Sequence, residues 1–463
     1  MPKIIFLSRS SGIWCSPISP DSYVEGFTNA LSRMGNNCLS IITNEIEQQI
    51  IDVTVEQFAP EVIFSINNEG ISESILKNTN CPIFMVAGDS IPYLKEIQLI
   101  KKNLDRYIFL NASADTFDQI NDYFATEKIK NLILGHVTDF KKIDTNQNIE
   151  VSFIGSLSNW DKSVPSYFKR LSLNKSSYKK NYALINRLKT KFITQYYDTI
   201  KIQPNESIKI LNDWNLPNFK KYTGFDYRQS VERLQTSNLR YNILREFTEF
   251  SLKVFSYPFG FVDVCTYDMQ LFNCFDFEPI VTLSDAERIY NSSKISLNLP
   301  HSHASNGMSW RVPDILASNA CLLSNYVPDL KKLMSGYIDI PMYRSSLEAK
   351  ELAVKLLKDE IWRNDIVCAS QIMIEDKCRF EKKLLEIEKE TNIILEDKRK
   401  KGSVKTINKD IIYLNNKFNN NSNKNNIKNT ERFYYKLFKL MIELTVYNRS
   451  KRKYLRNRFN LKK

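Results

Sequence analysis

Residues 296–324 read SLNLPHSHASNGMSWRVPDILASNACLLS: an apolar run, a polar loop with one glycine, a helix-like segment and a second apolar run. Ser is a favourable N-cap, and Pro is tolerated only in the first turn of a helix. The helix is therefore expected to begin between Ser309 and Pro313. This order predicts a strand–loop–helix–strand unit, which is the repeating unit of α/β proteins with parallel sheets.

Similar apolar runs lie outside this stretch, and they are continuous rather than alternating. Continuous runs are typical of strands that are buried on both faces. The runs are Ile4–Leu7, Val62–Ile66, Ile83–Val86, Tyr107–Leu110, Leu132–Leu134, Val151–Ile154 and Leu252–Phe255. They indicate two parallel sheets with helices on both faces. An α+β arrangement with mixed strands is the alternative for the first 145 residues.

A chain of 463 residues is too long for one hydrophobic core, so several units are expected. We expect a Rossmann-like domain over 1–145 and a second over 146–375 that carries a helical insertion at about 158–250. A charged, solvated helix is expected over 376–400. Nine of the fifteen residues 415–429 are Asn, which predicts a linker over 401–430. An amphipathic basic tail fills 431–463.

The net charge of +13 comes from the tail. Residues 401–463 hold 17 Lys or Arg and three Asp or Glu, whereas the first 400 residues hold 48 and 49. This asymmetry argues against a protein whose whole surface wraps nucleic acid. The tail's apolar helical face precedes the cluster Arg449, Lys451, Arg452, Lys453, Arg456 and Arg458, which favours an anionic membrane surface as the partner. A solvated tail is the alternative; nucleic acid is disfavoured because no binding motif accompanies the charge.

Eight cysteines are scattered without a Cys-x-x-Cys pair, which favours a reducing compartment over a disulfide framework or a zinc site. The apolar run at the N-terminus is too short for a signal peptide, and no run approaches 18 apolar residues. We expect a cytoplasmic protein, peripheral on the cytoplasmic face of the inner membrane through its tail.

The loop 301–309 is predicted to lie at the carboxyl edge of the second sheet, where open α/β sheets bind ligands. Arg311 and the N–H groups at the helix start would suit a diphosphate there. Asp314, one turn later, could accept hydrogen bonds from a ribose diol. The alternative is a plain ion pair between Arg311 and Asp314 on a helix surface.

The sequence has three histidines: His136, His301 and His303. His301 and His303 form a His-x-His pair, but a third metal ligand at suitable spacing is missing, so neither a metal nor another cofactor is expected. We expect the pair to hydrogen-bond phosphates or hydroxyls of a bound ligand; the alternative is that both are ordinary loop histidines.

Four segments together resemble the C-terminal half of CgeB-like glycosyltransferases, which are GT-B enzymes of the family 1/family 4 type. They are FIGS at 153–156, AERIYNSSKISLN at 286–298, SWRVPDILA at 309–317 and LLS at 322–324. The resemblance covers about 150–375, and more weakly the N-terminal half through FMVAGD at 84–89. The usual third motif has Phe-Glu where this chain has Pro313 and Asp314.

The resemblance implies that the C-terminal half holds a nucleotide-sugar donor and the N-terminal half an acceptor. Arg311 would face the donor diphosphate and Asp314 would hold the ribose. The donor-binding residues would be Gly155, Ser156, His301, His303, Asn306, Gly307, Ser309, Arg311 and Asp314. Ser10, Ser11 and Gly12 would form an acceptor-side loop, and the candidates for a catalytic base are Asp21, Glu25 and Asp89. Each of these carboxylates is equally compatible with a role as a helix N-cap or as an ordinary surface carboxylate.

We therefore expect a hexosyltransferase that acts on a glycan or lipid-linked glycan in bacterial surface polysaccharide synthesis. A retaining reaction is expected, because retaining enzymes of this fold need no strong base. Two alternatives remain open: a sugar-nucleotide epimerase of the same fold, and a catalytically silent nucleotide- or glycan-binding scaffold at the membrane.

Overall fold

The computed structural model describes residues 2–9, 22–89, 91–155, 157, 227–256, 268–276, 280, 282–301, 307–397 and 401–408. The predicted acceptor-side loop, most of the helical insertion and the basic tail lie outside these residues. Within them the chain forms two sheets, and every strand pair in both sheets is parallel.

The first sheet has seven strands in the order β13-β2-β1-β3-β4-β5-β6. Its strands are β1 (Lys3–Ser8), β2 (Asn37–Ile42), β3 (Val62–Ile66), β4 (Ile83–Ala87), β5 (Tyr107–Asn111), β6 (Lys130–Ile133) and β13 (Ser403–Ile407). The helices that alternate with them are α1 (Ser22–Arg33), α2 (Gln48–Phe58), α3 (Glu73–Asn78), α4 (Ile97–Lys102) and α5 (Ala114–Tyr123).

The second sheet has six strands in the order β12-β11-β10-β7-β8-β9. They are β7 (Ile149–Ile154), β8 (Leu252–Phe255), β9 (Phe275–Asp276), β10 (Ser293–Asn298), β11 (Cys321–Asn325) and β12 (Met342–Tyr343). The helices are α6 (Tyr227–Glu246), α7 (Met269–Asn273), α8 (Leu283–Asn291), α9 (Arg311–Leu316), α10 (Pro328–Met334), α11 (Ser346–Lys358), α12 (Glu360–Lys377) and α13 (Phe380–Thr391).

Strand β1 shows why the continuous apolar runs predict this architecture. Side chains alternate between the faces of a strand. Ile5 and Leu7 accordingly belong to one hydrophobic cluster and Ile4 and Phe6 to another on the opposite face. Both faces of the sheet are therefore covered by helices, and the prediction of Rossmann-like sheets is confirmed over the α+β alternative.

Two predictions for the end of the second domain are wrong. Residues 403–407 form strand β13 beside β2, so the linker cannot begin at residue 401. Helix α13 lies in the segment predicted to be a solvated helix, yet Phe380, Leu384 and Ile387 are buried in the core of the first domain. Charged residues on the other face of the helix alternate in sequence with these apolar residues, so the segment has the composition of a solvated helix although it has an apolar stripe at helical spacing.

The chain crosses between the two sheets twice, after β6 and again between α12 and α13, and the crossings contact each other. The backbone N–H of Thr138 donates to the carbonyl of Cys378 at 2.9 Å. The guanidinium of Arg379 donates to the carbonyls of Thr138 and Phe140 at 3.3 and 2.6 Å. These contacts join the two crossings, and residues 138–140 together with 378–379 are here called the hinge. No helix in the part of the chain described above is both long and apolar enough to cross a bilayer.

Candidate functional site

Two arginines converge at the carboxyl edge of the second sheet. Arg240 in α6 donates from Nε to the carbonyl of Leu299, just after β10, at 3.0 Å. Arg311, the first residue of α9, donates from Nη1 to the same carbonyl at 3.2 Å. Their guanidinium carbons lie 5.9 and 5.6 Å from the ring centroid of Phe153 in β7. Two elements distant in sequence thus place two positive charges against the ends of β7 and β10.

The electrostatics of this pair favour an anion. Arg240 is buried, and burial together with the charge of Arg311 lowers the pKa of Arg240. An anion between the two guanidinium groups would offset both effects. Each guanidinium is a planar fork of N–H donors that matches phosphate oxygens. The pair is therefore chemically suited to a diphosphate.

Gly155, predicted to approach the donor, lies directly beside this pair. A Cβ atom at Gly155 would be 2.6 Å from Cζ of Phe153 and 3.2 Å from Nη2 of Arg311. A side chain would therefore displace the ring or the guanidinium. The structure brings together Gly155 and Arg311, two of the residues to which the resemblance assigns donor binding.

Ser309 lies in a buried polar network just before α9. Its hydroxyl donates to Oδ1 of Asn298 at 2.6 Å, and Nδ2 of Asn298 donates to Oγ of Ser324 at 2.8 Å. This network ties the loop before α9 to the ends of β10 and β11. Helix α9 begins within the predicted interval, with Trp310 at its N-cap position and no side-chain cap.

Asp314 lies against the hinge. Its Oδ1 accepts a 2.5 Å hydrogen bond from Oγ1 of Thr138. Asp314 also borders a small cavity between the domains, together with Tyr23, Trp310 and Phe380. Asp314 thus has Thr138 as a hydrogen-bond partner and Arg311 has the carbonyl of Leu299.

Trp310 extends from the second domain into the first. Its ring stacks on Tyr23 with centroids 4.1 Å apart. It also covers Gly88, where a Cβ atom would lie 2.5 Å from Cζ2 of the indole. The neighbouring carboxylate of Asp89 accepts a 2.7 Å hydrogen bond from Nδ2 of Asn67, whose Oδ1 accepts from the backbone N–H of Gly88. The base candidate Asp89 thus adjoins the contact between the domains.

The other predicted residues are more scattered. Glu25 lies in the first turn of α1, where burial and then the charge of Asp139 raise its pKa. The backbone N–H of Gly307 donates to Oδ2 of Asp115 in the first domain at 3.1 Å, so Gly307 serves the interdomain contact. His301 is half-buried just after β10. Outside the described residues lie Ser10, Ser11, Gly12, Asp21, Ser156, His303, Asn306 and the basic cluster 449–458.

Sequence reasoning missed Arg240, Thr138 and Trp310. Arg240 is not part of a recognisable motif, because it lies in a long polar helix. The signal available in the sequence was a basic residue shortly before the apolar run that forms β8. Thr138 and Trp310 act through contacts between the domains, and those contacts follow from the fold rather than from local spacing.

Residues 240–388 match the family model described as "Glycosyl transferase-like". This segment contains Arg240, Leu299, Arg311 and Asp314. No curated protein matches the chain.

Among solved structures, sucrose-phosphate synthase from Thermosynechococcus elongatus is 8% identical, with a TM-score of 0.50 over 84% of this chain and 98% of that chain. HepE from Anabaena in complex with UDP and glucose is 9% identical, with a TM-score of 0.48 over 84% and 99%. The β-glucosyltransferase of T4 phage in complex with UDP-glucose is 10% identical, with a TM-score of 0.40 over 84% and 100%. The similarity to sucrose-phosphate synthase confirms the predicted GT-B fold.

The family match and the arginine pair lie in the same domain. The glycosyl transferase-like match covers both arginines and the second sheet from β8 to β12. The narrower resemblance to CgeB-like enzymes stays a prediction. The chain therefore has the GT-B fold, and its residues 240–388 are similar to a glycosyltransferase domain.

Proposed function

We propose that the protein transfers a hexosyl group from a nucleoside-diphosphate sugar to a glycan or lipid-linked glycan. The observation that carries this proposal is the Arg240–Arg311 pair at the end of β7 and β10. Positive charge fixed in advance stabilises the diphosphate as it leaves the sugar, and such preorganised stabilisation is commonly the largest part of an enzyme's rate enhancement. The acceptor would enter from the first domain, beside Asp89 and Trp310.

We propose that the transfer retains the anomeric configuration of the donor sugar. Among the carboxylates described on the acceptor side, Asp89 is held by Asn67 and Glu25 adjoins Asp139. These surroundings do not single out either one as a strong general base. A retaining transfer of this fold needs no such base. The anomeric configuration of the product, read by NMR, tests this point, and an inverted product would contradict it.

The donor class is tested by a thermal-shift screen against UDP-, GDP-, ADP- and CMP-sugars. A ligand that binds only the folded state raises its stability by mass action, by about 2.7 kcal/mol at a concentration one hundred times Kd. We expect at least one nucleoside-diphosphate sugar to raise the melting temperature. Failure of all of them, at concentrations that saturate a site of millimolar affinity, would contradict the proposal.

Two further assays separate transfer from its alternatives. Release of nucleotide that increases when an acceptor is added supports transfer. A scaffold would bind the donor without releasing nucleotide, and an epimerase would interconvert free nucleotide sugars. Either of these results would replace the proposed activity.

We also propose that the basic tail holds the enzyme on an anionic membrane, where a lipid-linked acceptor in surface polysaccharide synthesis would be found. The support is the cation cluster Arg449–Arg458. A chain ending at Asn408 keeps β13 and removes the tail, so it is the appropriate truncation. We expect the full chain, but not the truncated one, to sediment with phosphatidylglycerol vesicles. Equal sedimentation of both chains would contradict the membrane role.

A further inference from the structure

The turn that follows β3 has an unusual backbone. Residues 67–70 read Asn-Asn-Glu-Gly, and φ is positive at three of them: 50° at Asn67, 62° at Asn68 and 74° at Gly70. Residues other than glycine adopt this left-handed region rarely, although Asn does so more readily than most. Such a backbone persists only where its surroundings hold it in place, and it is concentrated at functional and ligand-binding sites.

Side-chain hydrogen bonds hold this turn against the segment that follows β4. Nδ2 of Asn67 donates to the carboxylate of Asp89, and the carbonyl of Asn67 accepts from the backbone N–H of Lys95 at 2.9 Å. Nδ2 of Asn68 donates to the carbonyl of Lys95 at 3.0 Å, and Oδ1 of Asn68 accepts from the hydroxyl of Tyr107 at 2.9 Å. The turn therefore presents its third residue in a fixed position.

That third residue is Glu69, which pairs with a cation at the end of the neighbouring strand. Its Oε1 lies 3.7 Å from Nη1 of Arg9, which follows β1. The side chain of Glu69 is 17% exposed and that of Arg9 is 58% exposed. Burial raises the pKa of Glu69, and the positive charges of Arg9 and Lys95 oppose this rise. The result is a half-buried carboxylate with an accessible guanidinium beside it.

The Arg9–Glu69 pair lies on the side of the molecule where the acceptor is proposed to enter. Strand β3 pairs in parallel with β1 and with β4, so the residues that follow these three strands share one edge of the first sheet. At the same edge, Gly88 lies under the ring of Trp310 from the second domain, and Asn67 accepts from its backbone N–H. The pair is thus two residues along the turn from the contact between the domains.

The chemistry of this group suits a sugar better than an anion. A hydroxyl both donates and accepts hydrogen bonds, whereas a carboxylate only accepts and a guanidinium only donates. A carboxylate beside a guanidinium therefore satisfies both functions of a hydroxyl. The group as a whole has two cations, Arg9 and Lys95, and two carboxylates, Glu69 and Asp89. This balance contrasts with the arginine pair of the proposed donor site, where two positive charges favour a diphosphate.

We infer that Arg9 and the 67–70 turn form a binding site for an uncharged sugar of the acceptor, whose hydroxyl groups donate to the carboxylate of Glu69 and accept from the guanidinium of Arg9. The inference rests on the proposed sugar transfer and narrows its acceptor. The sugar that receives the transferred group is then neutral at this site, and any phosphate of a lipid-linked acceptor lies outside it.

Saturation-transfer NMR on the full chain tests the class of ligand. The probes are the methyl glycosides of glucose, galactose, mannose and N-acetylglucosamine, with methyl glucuronide and glucose 6-phosphate as anionic counterparts. We expect wild type to bind at least one uncharged glycoside, and to bind it more tightly than either anion. Binding of the anions alone, or of no glycoside at all, would overturn the inference.

Point variants test whether binding takes place at this turn. Glu69→Gln and Arg9→Gln each remove one charge-assisted hydrogen bond, so each should weaken the bound glycoside about ten-fold or more. The affinity for nucleoside diphosphate should stay within about two-fold of wild type. Glu56→Gln, which changes an exposed carboxylate of α2, is the matched control and should leave both affinities unchanged. Wild-type affinity for the glycoside in both test variants would overturn the inference. Because Arg9 is exposed, its variant keeps the test valid even if Glu69→Gln does not fold.

Titrations with and without nucleotide separate the inference from the proposed function. If wild type binds no nucleoside diphosphate, the proposed function fails, whereas the glycoside titration without nucleotide still decides whether the turn binds a sugar. If wild type binds a nucleotide but the glycosides fail these tests, only the inference is wrong.

Discussion

At the scale of single residues, Arg311 was predictable from its place at a helix start after a buried strand, and Gly155 from the resemblance carried by FIGS at 153–156. Arg240 was not, because its partners, Phe153 and Leu299, lie 87 and 59 positions away in the chain. The sequence predicts a functional role for Asp314, and in the structure its carboxylate accepts a hydrogen bond from Thr138. The spacing of residues in the sequence predicts which helix or strand carries a side chain, but it does not predict which group that side chain contacts.

Gly155→Ala tests the close approach beside Arg311. The added methyl group must displace the ring of Phe153 or the guanidinium of Arg311. Overpacking of this kind costs about 1–3 kcal/mol of unfolding free energy, which chemical denaturation measures. Calorimetry should also show weaker binding of nucleoside diphosphate. Wild-type stability and affinity in this variant would show that the backbone there has more room than the structure indicates.

His136 predicts a specific loss of stability in acid. It is buried, neither ring nitrogen has a hydrogen-bond partner among the described residues, and burial lowers its pKa to about 4. The unfolded pKa is about 6.5, so the unfolded state binds more protons as the pH falls. The contribution is fully present above about pH 6.5 and is lost progressively towards pH 4.

His136→Phe removes this titration. Between pH 7 and pH 5 the wild type should lose roughly 2 kcal/mol of unfolding free energy more than the variant. Denaturant melts of both proteins at the two pH values measure the difference, and the interval from pH 7 to pH 8 serves as the control because His136 is neutral there in both states. Parallel pH profiles from pH 7 to pH 5 would contradict a neutral, buried His136.

At the scale of elements, the strands buried on both faces were predictable because each needs a continuous apolar run. Strand β2 (Asn37–Ile42), whose apolar residues lie on both sides of Ser40, is not among the predicted strands. Strand β13 (Ser403–Ile407) lies where the sequence predicts a linker, because an edge strand that is half exposed needs no apolar run. Its position follows from pairing with β2, which is a long-range contact.

Two truncations test whether β13 belongs to the folded domain. A chain ending at Lys400 lacks the strand, whereas a chain ending at Asn408 keeps it. The strand pairs with β2 along Ser403–Ile407, and Gly402 fits so closely that a Cβ atom would lie 2.3 Å from the carbonyl oxygens of Ser32 and Asn36. We expect the shorter chain to melt several degrees lower.

Gly402→Ala in the full-length chain is the matched point variant. It should lower the melting temperature in the same direction, because the new methyl group pushes the strand away from α1 and β2. Equal melting temperatures for all four proteins would mean that β13 adds nothing to the stability of the sheet.

At the scale of the whole molecule, composition and pattern predict two Rossmann-like domains and a separate basic tail. They do not predict that α13 and β13 return to the first domain, because the charged face of α13 hides its apolar stripe. Nor do they predict the hinge, which depends on Thr138, Arg379 and Asp314 meeting across the domains. We expect the proposed activity to need both domains, because the proposed donor side and acceptor side lie on different domains.

The central claim is that the Arg240–Arg311 pair binds the diphosphate of a sugar donor. Its most direct test is calorimetry of the wild type, Arg240→Ala, Arg311→Ala and the double variant with UDP, GDP and ADP, and with the corresponding nucleosides as controls. We predict that one diphosphate binds the wild type. Each single variant should weaken it ten-fold or more, the loss of a charge-assisted contact of about 1.5–3 kcal/mol, while nucleoside binding is unchanged. Undiminished affinity in the double variant would contradict the account.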